Sequence, residues 1–250
     1  MAVVAGAEFL LAAAASVSEV LTLPPLLAYC VGFAAVCGSV LAVAAHSPPF
    51  GRRALGLLAV PLGAVWLVGQ ARPGPLPEAV VVTASILLGA SLLGTVIGRA
   101  IEHPGYLVFV AVVSSAADIF SVYHPAGPSQ AIAGSEAALS LLALPWPMLG
   151  TGQIEAYLGA GDVVFTAIYG AAARVHGLSL GRTWLALGLA YGMTLLAVIA
   201  LAAPVPALPL LGLCVVAAHP MARRPPPEEG RRGVLAAALI VAAVAALMLV

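Results

Sequence analysis

Residues 157–170 read YLGAGDVVFTAIYG. From Val163 onward the run is apolar enough to begin a membrane helix, yet a carboxylate, Asp162, directly precedes it. The chain around it is of the same greasy kind. Of its 250 residues, 62% are hydrophobic and 8% are charged, where a soluble domain carries about 25% charged residues. Long apolar runs recur along the whole length, so the composition implies an all-α, polytopic helical membrane bundle. No long polar linker separates two halves, and 1–250 reads as a single transmembrane domain.

A helical span takes roughly 20 apolar residues. Nine candidates fit: about 2–22, 26–45, 54–70, 79–98, 105–123, 159–176, 183–202, 205–219 and 233–250. The first carries Glu8 and Glu19, eleven residues apart and so on one helical face, which should look into the bundle or toward water. No arginine or lysine precedes this run, so it is expected to remain as a span rather than be cleaved as a signal. The ten basic residues are all arginines, and their distribution sets the orientation. With nine spans, Arg52, Arg53, Arg99, Arg174, Arg182, Arg223, Arg224, Arg231 and Arg232 share one side, and Arg72 alone takes the other. That puts the N-terminus in the cytoplasm and the loop 124–158 outside. Within this loop LSLLALPWPML (139–149) is too short to span and holds Pro145 and Pro147; a re-entrant segment or a surface strand fits it better. Were it to cross, every later loop would change sides, and the arginine asymmetry would drop to five against five. RRPPPEEGRR (223–232) reads as a cytoplasmic connector that helps set the topology.

The chain has two aspartates, Asp118 and Asp162, and both fall in candidate spans. A charged aspartate at mid-bilayer costs roughly 2.5–3.5 kcal/mol on insertion scales, so each is read as functional. Asp118 lies near the outer end of a span running outward, Asp162 near the start of the next, running inward. At 1.5 Å per residue both sit roughly 5–8 Å below the outer boundary. Two close carboxylates in a low-dielectric site do not both ionise easily; one keeps a proton while the other can activate water. Such a dyad titrates as a unit and can hydrolyse a peptide bond. Gly159 and Gly161 remove side chains around the first turn of the Asp162 helix, which lets a neighbouring helix or an extended backbone come close.

G-x-G-D at Gly159, Ala160, Gly161 and Asp162 resembles the signature of the presenilin and signal peptide peptidase type of intramembrane aspartyl protease. DIFSVY (118–123) is similar to the segment that bears the first aspartate in those enzymes, and Pro206, Ala207 and Leu208, 44 residues past Asp162, are similar to their Pro-Ala-Leu. The resemblance covers about residues 105–220. It implies a presenilin-like bundle with N-terminal helices in 1–104, a catalytic core in 105–220, and a connector and last helix in 221–250. It further implies that Asp118 and Asp162 are catalytic and that Gly159, Gly161, Pro206, Ala207 and Leu208 line the substrate cleft. Residues 139–158 would form strands against an unwound substrate, a β-augmentation mode. The implied partner is a transmembrane or signal peptide within the lipid bilayer of a prokaryotic inner (plasma) membrane, with no metal or organic cofactor. There are departures. Ala117 stands where the family commonly has tyrosine, four candidate spans precede the one with Asp118 rather than five, and one follows the Pro-Ala-Leu span. The outer placement of loop 124–158 resembles signal peptide peptidase rather than presenilin.

Other features are read more plainly. Zero net charge gives no field for nucleic acid. Cys30, Cys37 and Cys214 lie in apolar runs without zinc-type spacing and are expected to pack as small hydrophobes. His46, His103, His124, His176 and His219 fall at span ends, where amphipathic side chains belong. Glu136 and Glu155 are expected to be solvated, and Tyr123, Trp146, Tyr157 and Trp184 to form an aromatic belt. Two other functions fit the aspartates. A prepilin-peptidase-like protease also uses G-x-G-D, but that family usually has a lysine soon after the motif, where Val163 and Val164 stand here. A cation- or proton-coupled transporter would use the same carboxylate pair, and such folds often contain internal repeats, which this sequence does not display.

Overall fold

The structure is a computed structural model that describes residues 2–18, 21, 23–71, 75–150 and 153–248. In chain order it contains α1 (Ala2–Val17), α2 (Pro25–His46), a 3-10 turn (Arg52–Leu58) leading into α3 (Ala59–Ala71), α4 (Pro75–Arg99), a 3-10 turn (Pro104–Tyr106), α5 (Leu107–Tyr123), α6 (Pro128–Ala133) and α7 (Glu136–Leu142). A hairpin of β1 (Ala143–Pro147) and β2 (Ile154–Gly159) follows, then α8 (Ala160–Val175), α9 (Leu180–Leu201), α10 (Leu208–Ala218), a 3-10 turn (Pro220–Arg223) and α11 (Pro227–Leu247).

A helix lies over each of the nine candidate spans. Among the described residues, six helical segments are long and apolar enough to cross a membrane: Pro25–His46, Arg53–Ala71, Leu76–Arg99, Pro104–Tyr123, Leu180–Leu201 and Gly230–Leu247. The other three helices, α1, α8 and α10, have 16, 16 and 11 residues. The first helix is described over Ala2–Val17, short of the expected boundary, and the face expected to join Glu8 with Glu19 reaches beyond the described residues. Glu19 and Arg72 lie outside the described residues.

The helix ends follow backbone chemistry. Pro25 opens α2, where a missing N–H leaves no bond unmade. Ser47 with Pro48 and Pro49 closes it, because proline disfavours the helical conformation in the residue before it. Glu78 in the first turn of α4 and Arg99 in its last complement the helix dipole.

By its contacts the chain divides into two compact units, residues 1–96 with 135–167 and residues 97–134 with 168–250. In the first unit, the buried stripe of α2 runs Ala28, Gly32, Phe33, Val36, Cys37, Val40, Val43 and Ala44, the spacing of one helical face. α1 packs on α2, and the hairpin lies against both. Gly94 of α4 meets the Val164 carbonyl of α8; a Cβ at Gly94 would lie 2.7 Å from the Ala167 methyl. This is the close backbone approach that small residues permit between apolar helices.

The hairpin is antiparallel, with Ala143 opposite Gly159, Leu144 opposite Leu158, Pro145 opposite Ala156, Trp146 opposite Glu155 and Pro147 opposite Ile154. The register shifts between Leu144 and Pro145, which leaves Tyr157 as the extra residue of a bulge. The Pro145 carbonyl accepts from Thr83 Oγ1 of α4 at 3.4 Å, so this edge of β1 faces a helix, and its prolines carry no N–H to offer a further strand. Gly150 takes φ +90° in the connecting loop, a conformation suited to glycine.

In the second unit α5 packs on α10 and α11, and α10 also packs on α9. Gly212 of α10 lies against Ala111 of α5, where an added Cβ would come within 2.7 Å of the alanine methyl. Gly98 meets the Ile168 carbonyl of α8 within this unit. α9 ends at Ala202, which is left-handed at φ 49° and ψ 36°. An L-residue with a Cβ is strained there by roughly 1–2 kcal/mol, so Ala202→Gly is expected to raise stability by about 1 kcal/mol. Thermal unfolding of the purified variant in detergent measures it.

Candidate active site

Asp118 lies in the second unit, five residues before the end of α5. Its Oδ2 accepts the Leu208 N–H at 3.0 Å. The reason is local to α10. That helix begins at Leu208 behind Ala207, whose side chain can cap nothing, and Pro209 has no N–H. The first free donors of the helix therefore need an acceptor from elsewhere. Asp118 supplies it from 90 residues upstream. Pro206, Ala207 and Leu208 are all buried, so the Pro-Ala-Leu segment and the first aspartate form one assembly.

An apolar groove of about 750 Å³ runs beside it, lined among others by Ala111, Ser115, Ile119, Pro209, Gly212 and Met248 from α5, α10 and the end of α11. Tyr169, 1% exposed, sets its hydroxyl near Ser114, one turn before Asp118.

Asp162 lies in the first unit, at the third position of α8. Its Oδ2 accepts the Gly159 N–H at 3.2 Å. This is the reciprocal half of a capping box, in which an acidic side chain of the first turn reaches back to the residue before the helix. The positive end of the helix dipole favours a carboxylate at that place. Neither motif glycine is crowded. A Cβ at Gly161 would meet nothing within 4 Å, and one at Gly159 would meet Asp162 Oδ2 at 3.7 Å. Both glycines are exposed. No neighbouring helix therefore uses the space they leave, and among the described residues it stays open beside the carboxylate.

Residues the sequence reading missed hold β2 in place. The bulge aims Tyr157 at α2, where its ring stacks on Tyr29 with centroids 5.2 Å apart and planes at 27°. Gly32 makes this possible: a Cβ there would lie 2.5 Å from the Tyr157 hydroxyl and 2.6 Å from Cζ. Tyr157 is 9% exposed, and burial, with Tyr29 and Glu155 adding, pushes its phenol up to about 12. It stays a neutral ring clamped to the helix. A bulge cannot be read from apolar alternation, so the sequence carries no signal for this clasp beyond Pro145 itself. Gly32→Ala is expected to destabilise the chain by about 1–3 kcal/mol through overpacking, measured by its unfolding midpoint.

The aromatic belt needs correction. Trp146 is 3% exposed and Tyr157 is packed as described, because the hairpin turns both inward. Trp184 lies against Gly170, while Tyr123 remains exposed. Glu136 and Glu155 are exposed. Cys37 is buried and Cys30 and Cys214 are partly so, all as free thiols. The histidines serve helix ends and loops. His46 bonds to the Ala42 carbonyl at 2.8 Å, and His103 and His124 accept the backbone N–H groups of Gly105 and Ala126. Glu8 is unexplained by packing: both carboxylate oxygens are buried and have no hydrogen-bond partner among the described residues. Among the described residues no three histidine, cysteine, aspartate or glutamate side chains gather as a metal site would require.

No protein-family model, curated protein or solved structure matches the chain.

Proposed function

We propose that the protein is an intramembrane aspartyl protease with a multi-pass, nine-span topology, cleaving transmembrane or signal peptides with Asp118 and Asp162. The observation that carries the reading is the Leu208 N–H donated to Asp118 Oδ2. Capping α10 needs only some acceptor; that one of the chain's two aspartates is the acceptor, against the Pro-Ala-Leu segment 90 residues away, fits a protease that shapes its cleft with that segment. G-x-G-D supports the second half of the reading: its glycines leave open space beside Asp162, where an extended backbone fits. One carboxyl would stay protonated to polarise the scissile carbonyl, and the other would take a proton from the attacking water. β2 leads directly into the motif, and Glu155, Ala156 and Gly159 on it are exposed, so its outer edge can accept an unwound substrate strand. The outward-facing placement of the 124–158 loop belongs to this proposal. The test is cleavage of a reporter transmembrane peptide by purified protein in detergent, with each aspartate changed in turn.

One observation favours proton- or cation-coupled transport instead. Glu8, whose buried carboxylate oxygens have no partner among the described residues, is a third acid in a candidate span that proteolysis does not use. Flux in proteoliposomes that is lost in Glu8→Gln, with no cleavage by the unaltered chain, would establish that reading.

A further inference from the structure

The second unit carries its arginines at one end, and three connecting segments are tied together there. His176 Nε2 lies 2.9 Å from the Ile101 carbonyl, joining the end of α8 to the α4–α5 connection. Thr183 Oγ1 and His219 Nε2 are 2.9 Å apart, joining the start of α9 to the end of α10. Gly105 packs so closely on the backbone after the 3-10 turn that a Cβ there would lie 2.6 Å from Pro225 Cα. These segments hold all seven arginines of the unit, Arg99, Arg174, Arg182, Arg223, Arg224, Arg231 and Arg232, against three glutamates, Glu102, Glu228 and Glu229. Arg223 turns back to the Val216 and Ala217 carbonyls at the end of α10. Arg99, Arg182, Arg224, Arg231 and Arg232 are exposed. The segments at the far ends of α5 and α9, 124–134 and 202–207, contain no arginine, aspartate or glutamate.

We propose that this arginine surface binds the phosphates of anionic phospholipids in the leaflet it borders. An apolar helical unit with cations confined to one end can place that end at a headgroup layer. Arginines that only set orientation need no link between their loops, but here the three loops that border them are tied together by direct contacts. Each guanidinium offers a fixed fork of donors that matches phosphate oxygens, which an ammonium does not. The proposal is independent of the cleavage reading.

The full chain is placed in nanodiscs of phosphatidylcholine containing about 30 mol% phosphatidylglycerol, and the lipids it retains on release are counted by native mass spectrometry. Retained lipid is expected to be enriched about fivefold in phosphatidylglycerol over the disc composition. Raising salt to about 0.5 M is expected to remove most of that enrichment. The triple variant Arg224→Gln, Arg231→Gln, Arg232→Gln is expected to bring it near unity, and the matching triple lysine variant to retain part of it. Six arginines remain on the same predicted side in the glutamine variant, enough to keep the orientation. An unchanged unfolding midpoint in pure phosphatidylcholine verifies its fold; should it fail to fold, the salt response of the unaltered chain decides alone. Equal retention of both lipids, or enrichment that survives salt and the glutamine changes, overturns the proposal. So does competition by inorganic phosphate at concentrations matching the lipid headgroups, which would mark a site for free anions.

Discussion

Asp118→Asn is expected to abolish cleavage of a transmembrane reporter while leaving the fold nearly unchanged. The capping bond of this side chain and its proposed catalytic role separate under that substitution. An asparagine carbonyl still accepts the Leu208 N–H that Asp118 holds at 3.0 Å, so the start of α10 keeps its cap and stability should move by less than about 1 kcal/mol. The amide cannot exchange a proton with water, and the rate should fall by a factor of about 10³ or more. Asp118→Ala removes both functions. It should lose the same activity and also destabilise by about 1–2 kcal/mol, because the Leu208 N–H is then left without this acceptor. Asp162→Asn should behave as Asp118→Asn does, since its amide oxygen can keep the bond from the Gly159 N–H. Rates and unfolding midpoints measured on the same samples distinguish these outcomes. If Asp118→Asn cleaves as well as the unaltered chain, the carboxylate is only a cap for α10 and the protease reading fails.

The second large effect is expected at the α4–α8 seam. Gly94 and Gly98 stand four residues apart, one helical turn, each pressed on a carbonyl of α8 in its own unit. Cβ atoms there would meet the Val164 and Ile168 carbonyls and the methyls of Ala167 and Ala171. Backbone carbonyls inside a helix do not yield as a side-chain tip does, so the helices must separate. Gly94→Ala and Gly98→Ala are each expected to cost about 2–3 kcal/mol, and Gly94→Val more. Gly161→Ala is the control, since a Cβ there meets nothing within 4 Å. Comparing the midpoints of thermal unfolding tests this; a Gly94→Ala midpoint equal to that of Gly161→Ala would show that the seam is looser than described.

The helices themselves were legible before any coordinates. A membrane-length apolar run must satisfy its backbone internally, so it becomes a helix, and proline or glycine marks where it stops. α2 follows from that rule to within a residue at each end, and α4, α5 and α9 to within four. The hairpin was partly legible too: the prolines of 139–149 fall in β1, but residues 139–142, expected in the same strand or re-entrant segment, close helix α7 instead, since no proline stops the helix before Pro145. The early end of α1 and the inward turn of Trp146 and Tyr157 were not, because both depend on what lies alongside.

The amino-acid order by itself determined where the long apolar helices lie, that two aspartates fall within them, and that the arginines are unevenly shared, since these depend on local composition and on the cost of burying charge. Only the tertiary structure decided that Asp118 caps the helix of the Pro-Ala-Leu segment, that a bulge sends Tyr157 onto Gly32, and that the glycines beside Asp162 face open space. Those outcomes depend on which distant backbone groups need a partner and which surfaces leave room. Spacing along the chain records neither.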